Sequence, residues 1–217
     1  MKRVNIHKIY KILEKQVKKW NVPVAELIEI QTKDPFKVLV ATILSARTKD
    51  QTTAAVCDRL FKKIKKPSDF NKFSEKQIQK LIYPAGFYKT KAKHLKLLPE
   101  SLKQFNNTIP KTIEELNQLP GVGRKTANLV LGVCFRIPAV CIDVHCHRIL
   151  NRLGYVATKS PYETEMALRK KLPKKYWIPL NTMLVAFGQN LCNPVSPWCS
   201  KCPIFSFCNR INVVKGR

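Results

Sequence analysis

Residues 119–128, LPGVGRKTAN, set a proline, two glycines and two basic residues between two apolar runs. Leu119 and Pro120 are placed to end one helix, and Gly121 and Gly123 allow backbone angles that other residues avoid. A second helix is expected to begin at Thr126. Such a hairpin points backbone amides outward at a helix N-terminus, where the amide dipoles favour an anion such as a phosphate. The competing reading is a tight helix–helix turn selected for packing alone.

The whole chain favours an anionic partner. Its 217 residues carry 40 Lys and Arg against 14 Asp and Glu, a formal net charge of +26, far beyond what solubility needs. Nucleic acid is the first reading. An anionic membrane surface and the lysine-rich surface of a heat-adapted protein are the others. The start, MKRVNIHKIY, has no apolar core for a signal peptide, and Val38–Leu44, the most apolar stretch, is too short to span a bilayer. A soluble, cytoplasmic protein is expected.

Apolar residues recur at helical spacing almost throughout, as in Ile9, Ile12, Leu13, Val17 and Trp20, and again in Val56, Leu60, Phe61 and Ile64. Strand alternation is scarce. Capping boxes are expected at Ser74 with Gln77 and at Thr112 with Glu115. Prolines at 23, 35, 67, 84, 99, 110, 120 and 138 divide the chain into segments of helix length. These features predict an all-α protein of about nine or ten helices. The basic clusters Lys62–Lys66, Lys89–Lys103 and Arg169–Lys175 read singly as solvated helix faces.

Eight cysteines without a signal peptide point to a metal site rather than to disulfides. Cys57, Cys134, Cys141 and Cys146 lie among apolar residues and read as small buried thiols. Cys192, Cys199, Cys202 and Cys208 instead form one close pair flanked by two outlying cysteines. That spacing suits a compact iron–sulfur cluster better than zinc, which favours two paired knuckles, and both stay open. In either case the first role is to staple the C-terminal tail.

Two further residues carry candidate chemistry. Lys125 falls in the first turn of the helix after the hairpin, where the dipole disfavours an ammonium and so favours the neutral, nucleophilic amine. A phosphate contact or a solvated charge is the plainer reading of that lysine. Asp143, in AVCIDVHCHRIL (139–150), reads either as a helix N-cap or as a carboxylate that takes a proton or faces positive charge developing on a sugar. His145 and His147 read as core or surface histidines.

Taken in register, the hairpin LPGVGRKTAN, the segment CIDVHCHR (141–148) and the cysteine spacing resemble the endonuclease III family of DNA glycosylases, within the helix-hairpin-helix superfamily. The resemblance extends through ILSARTKDQT (43–52) and YPAGFYKTKAKHL (83–95), and covers residues from about 23 to 210. It implies a two-domain fold: a six-helix domain over residues 23–137 ending in the hairpin, and an iron–sulfur domain joining 1–22 to 138–217. It also implies a 4Fe–4S cluster on Cys192, Cys199, Cys202 and Cys208.

The partner implied is double-stranded DNA with damaged bases or abasic sites, bound by a monomer. In the family a damaged base is flipped out of the duplex. Lys125 would then attack the anomeric carbon with help from Asp143, form a Schiff base, and break the strand by β-elimination. Gly121, Val122, Gly123 and Arg124 would hold the DNA backbone. Arg47 stands where the family often has Gln and would fill the hole left by the flipped base, while Phe87 replaces a common Leu wedge. The loop NPVSPW (193–198) lacks the basic residues of familiar bacterial members, which leaves Lys201 or Arg210 as substitutes and points to a mainly structural cluster.

Overall fold

The computed structural model describes residues 4–20 and 24–217. Among them there are eleven α-helices, no strand, and short 3-10 turns. The chain divides into two compact units, Val24–Ile137 and Met1–Pro23 together with Pro138–Arg217.

The Val24–Ile137 unit contains α2 (Val24–Thr32), α3 (Pro35–Ser45), α4 (Asp50–Lys63), α5 (Glu75–Ile82), α6 (Tyr88–Leu102), α7 (Ile113–Leu116) and α8 (Arg124–Phe135). Six of these have two turns or more, and α7 is a single turn. The central helix is α3, apolar on nearly every face, with Val38, Leu39, Val40, Ala41 and Leu44 inaccessible to solvent. It starts sharply because the Asp34 carboxylate accepts from the Phe36 amide at 3.0 Å and Pro35 occupies the first helical position. Both α2 and α8 pack on it.

The second unit contains α1 (Ile6–Val17), α9 (Val144–Leu153), α10 (Pro161–Lys171) and α11 (Trp177–Asn190). Ile9 and Leu13 of α1 and Ile149, Leu150 and Leu153 of α9 share one core with Leu180, Leu184 and Phe187 of α11. Trp20, expected to continue the α1 stripe, lies beyond the helix and meets the Phe187 ring at 6.4 Å.

Local chemistry departs from the sequence expectations at Pro99 and Thr112 and follows them at Ser74. Pro99 does not break α6. It sits three residues from the helix end, where only one late hydrogen bond is given up, and its ring is buried. The capping box at Ser74 is complete, with Gln77 returning a bond to the Ser74 amide at 2.8 Å. At Thr112 only half the box forms, because the Glu115 carboxylate takes the threonine hydroxyl at 2.8 Å instead of the backbone amide.

Candidate active site and its surroundings

The hairpin joins α7 to α8. Leu119 and Val122 are buried and anchor it, and the Val122 amide donates to the Leu119 carbonyl at 3.1 Å. Helix α8 begins at Arg124, two residues before the expected start, with Gly123 as its N-cap.

The two glycines have different causes. Gly121 has φ +76°, and a Cβ there would stand 2.6 Å from Nδ1 of His94, so the fold itself requires glycine. Gly123 has φ −99°, which any residue adopts, and a Cβ there would meet nothing within 4 Å. Nothing among the described residues requires glycine at 123. A bare backbone facing open space at a helix N-terminus is what close approach of an anion needs. Lys125 follows two residues later, exposed in the first turn of α8, and Arg124 is half-buried.

Asp143 is the N-cap of α9. Its Oδ1 accepts from the amides of His145 and Cys146, both at 2.9 Å, and the residue is only 9% exposed. The cap and the carboxylate are therefore one feature: the amides fix the orientation of a largely buried acid. Asn181 of α11 donates to the Cys141 carbonyl at 3.2 Å and holds the approach to that cap. His147 pairs with Thr164 at 2.7 Å, and His145 Nδ1 lies 3.1 Å from the Arg148 guanidinium, so both act in the packing of α9.

In the Val24–Ile137 unit, Arg47 and Phe87 come together. Both sit on left-handed backbone, φ 52° and 56°, and the guanidinium carbon lies 5.3 Å from the ring centroid. Phe87 is 61% exposed. Each left-handed non-glycine residue costs about 1–2 kcal/mol, which the surroundings must offset.

Lys91 was missed by sequence reasoning, where it belonged to a basic cluster. It is buried, and its Nζ donates to the Leu44 and Ala46 carbonyls at 2.7 and 2.6 Å and to Thr48 Oγ1 at 3.0 Å. Burial pulls its ammonium down to about 8. The available signal was its register, since Lys91 falls on the same helical stripe as Leu95, Leu98 and Leu102. Lys96 does similar work, gripping the carbonyls of Phe70 and Phe73 at 3.2 and 2.8 Å.

The four C-terminal cysteines line one apolar hollow, walled by Ile149, Leu153, Phe187 and Ile204. None of the four is in a disulfide. Arg152 of α9 points its guanidinium at Cys192 Sγ, 3.4 Å away, and at the carbonyls of Asn193 and Pro194. The Arg210 amide donates to Cys208 Sγ at 3.4 Å. Among the described residues no three His, Cys, Asp or Glu side chains stand close enough to hold a single ion. Four sulfurs around an apolar hollow, with N–H donors aimed at two of them, fit a larger thiolate-held group. Lys201 lies over the Trp198 ring at 4.8 Å and Arg210 over Phe205 at 4.6 Å. Of the remaining cysteines, Cys57, Cys141 and Cys146 are buried as expected while Cys134 is only half-buried, and burial pushes Cys57 and Cys134 up to about 12.

A helical hairpin of this form has a known class. The sequence pattern of the HhH-GPD superfamily base excision DNA repair proteins matches residues 40–174. The endonuclease III of Thermotoga maritima is 43% identical over 176 residues, 81% of this chain and 83% of the relative. A solved non-covalent endonuclease III–DNA complex superposes with a TM-score of 0.83 at 32% identity, covering 96% of this chain and 97% of the other. A trapped endonuclease III–DNA covalent intermediate gives 0.81 at 31% identity with the same coverage. The chain therefore belongs to the endonuclease III family of that superfamily. No helix among the described residues is long and apolar enough to cross a membrane.

Proposed function

We propose that the chain is a bifunctional DNA glycosylase that removes oxidised or ring-saturated pyrimidines and then nicks the abasic site. The observation that carries this reading is Lys125, an exposed amine in the first turn of α8, two residues after the bare backbone of Gly123. The likeness to an endonuclease III trapped covalently on DNA supports it.

The amides around Gly121, Val122, Gly123 and Arg124 bind a DNA phosphate at the N-terminus of α8. The Lys125 amine attacks C1′ of the flipped nucleotide. The C1′–N bond breaks, and the base departs with the electron pair and takes up a proton. Asp143 accepts the proton that the amine loses. The nitrogen lone pair then opens the sugar at O4′, which is protonated, leaving an iminium between Lys125 and C1′. Loss of a 2′ proton expels the 3′ phosphate, and water finally hydrolyses the imine and frees Lys125. Arg47 and Phe87 occupy the gap in the stack while the nucleotide is outside it.

Cys192, Cys199, Cys202 and Cys208 would hold a 4Fe–4S cluster whose thiolate bonds order the C-terminal tail. No electron transfer is needed for the chemistry above.

The direct test is to reduce a reaction with lesion-containing duplex by borohydride, which converts the iminium to a stable amine. A covalent protein–DNA adduct is expected, and its absence with every oxidised pyrimidine and with abasic DNA would overturn the lyase reading. Asp143→Asn should keep the N-cap and the melting temperature but lower excision by about 10²- to 10⁴-fold, as expected for loss of a proton-transfer group. Asp143→Ala should also cost about 1 kcal/mol of stability through the lost cap. Equal activity of the Asn variant and the parent would leave Asp143 a cap alone. Duplex affinity should fall by about 10³-fold between about 50 and 200 mM salt if some six phosphates are neutralised, and a flat titration would argue against backbone-dominated binding.

A further inference from the structure

Two turns carry the pair Arg47 and Phe87, and one buried residue is bonded to both, through its ammonium to the first and through its backbone amide to the second. Lys91 lies one helical turn after Phe87 and donates its own amide to the Phe87 carbonyl at 3.0 Å. Its ammonium reaches the Leu44 and Ala46 carbonyls before Arg47 and the Thr48 hydroxyl after it. Thr48 Oγ1 in turn accepts the Gly86 amide at 3.1 Å. The two backbones are so close that a Cβ at Gly86 would stand 2.3 Å from the Arg47 carbonyl oxygen. The ammonium thus sits at the node of a short network whose members flank both exposed side chains.

Stability alone does not explain a buried lysine here. Burial penalises its charge, and an apolar side chain of similar length in such a place is often as stable. What an apolar side chain cannot do is fix three acceptors of one turn from the helix that starts at the other. Two left-handed residues held in that way present their side chains without further ordering at the moment of binding.

We propose that Lys91 is a positioning residue for duplex opening: it ties the Arg47 turn to the Phe87 turn so that the two side chains enter the base stack as one preset wedge. The proposal rests on the reading of Arg47 and Phe87 as the inserted residues. Lys91 itself touches no reacting atom.

The test compares Lys91→Met, Lys91→Arg and an Arg47→Ala, Phe87→Ala double variant in the full-length, metal-loaded protein. Each is assayed on a duplex with a ring-saturated pyrimidine opposite 2-aminopurine, and on a single-stranded oligonucleotide with one abasic site. Lys91→Met should lower duplex excision by about 10- to 100-fold through kcat, as a misplaced positioning group does, and should suppress the 2-aminopurine fluorescence rise that reports an unstacked partner base. Cleavage of the single strand, which has no stack to enter, should be unchanged, and Lys91→Arg should regain part of the duplex activity.

Parallel loss on both substrates, or no loss on either, would overturn the proposal. If the double variant keeps full duplex activity, the wedge reading fails. If the double variant loses activity and Lys91→Met does not, only the role of Lys91 fails. Should Lys91→Met not fold, Thr48→Val removes one leg of the network without stranding a charge. It should show the same selectivity for duplex over single strand, and equal effects on both would again overturn the proposal.

Discussion

Lys125→Gln is expected to abolish the borohydride adduct and to lower strand cleavage at an abasic site by at least about 10⁴-fold, the scale of loss when a covalent nucleophile is removed. The amide of Gln keeps a polar side chain of similar reach but has no nucleophilic lone pair on nitrogen, so no iminium forms. Duplex affinity should be nearly intact. One ammonium among 40 basic side chains releases at most one counterion, and the backbone around Gly123 is untouched by the substitution. The side chain is exposed in the first turn of α8, so the variant should melt with the parent. Mass spectrometry of the parent adduct should place the DNA remnant on Lys125. An adduct that persists in Lys125→Gln would assign the chemistry to another amine, and a variant that fails to fold would make the residue structural.

The same affinity measurement separates the two glycines of the hairpin. Gly121→Ala should destabilise the fold, because its backbone is left-handed and His94 fills the space a methyl would need. Gly123→Ala should leave stability almost unchanged and weaken DNA binding, since its added methyl would occupy the open space in front of the α8 N-terminus. Sequence alone treats these residues alike. Their difference lies in what approaches each from outside the turn: a histidine 27 positions earlier for Gly121, and nothing among the described residues for Gly123.

That contrast marks what was legible before any coordinates. Local chemistry was readable wherever a residue acts on its own neighbours in sequence. Ser74 caps the helix that follows it, and Asp143 does the same for α9. Residues that act across the fold were hidden. Lys91 bonds to carbonyls 45 and 47 positions away, and its only trace was a lysine on an apolar stripe. Pro99 misled in the opposite direction: a proline inside a helix gives up the one bond from its own nitrogen to the carbonyl four residues earlier, and in α6 its ring is buried along with Leu95, Leu98 and Leu102. Asp143 shows that two competing readings need not exclude each other: the cap that stabilises α9 also holds the carboxylate in one orientation.

Removing one cysteine of the C-terminal four should have a large structural effect. Across residues 191–217 only Pro197 and Ile204 are buried. Full burial of an Ile side chain contributes about 1.5–3 kcal/mol, whereas ordering each residue of the segment costs about 1–2 kcal/mol of backbone entropy. Hydrogen bonds from Arg152 to the Asn193 and Pro194 carbonyls, and from Asn209 to the Leu153 carbonyl at 2.9 Å, attach the segment at a few points. They do not close that deficit, which the thiolate bonds of the proposed cluster would make up. Cys202→Ser should therefore yield a colourless protein in which limited proteolysis cuts within 191–217, while the Val24–Ile137 unit, with its own core on α3, keeps its helical signal. Iron analysis and the visible absorbance of an iron–sulfur chromophore in the parent provide the other half of the experiment. A parent that is colourless, contains zinc and is active would overturn the cluster assignment, and a Cys202→Ser variant whose tail resists protease as well as the parent would show that packing alone holds it.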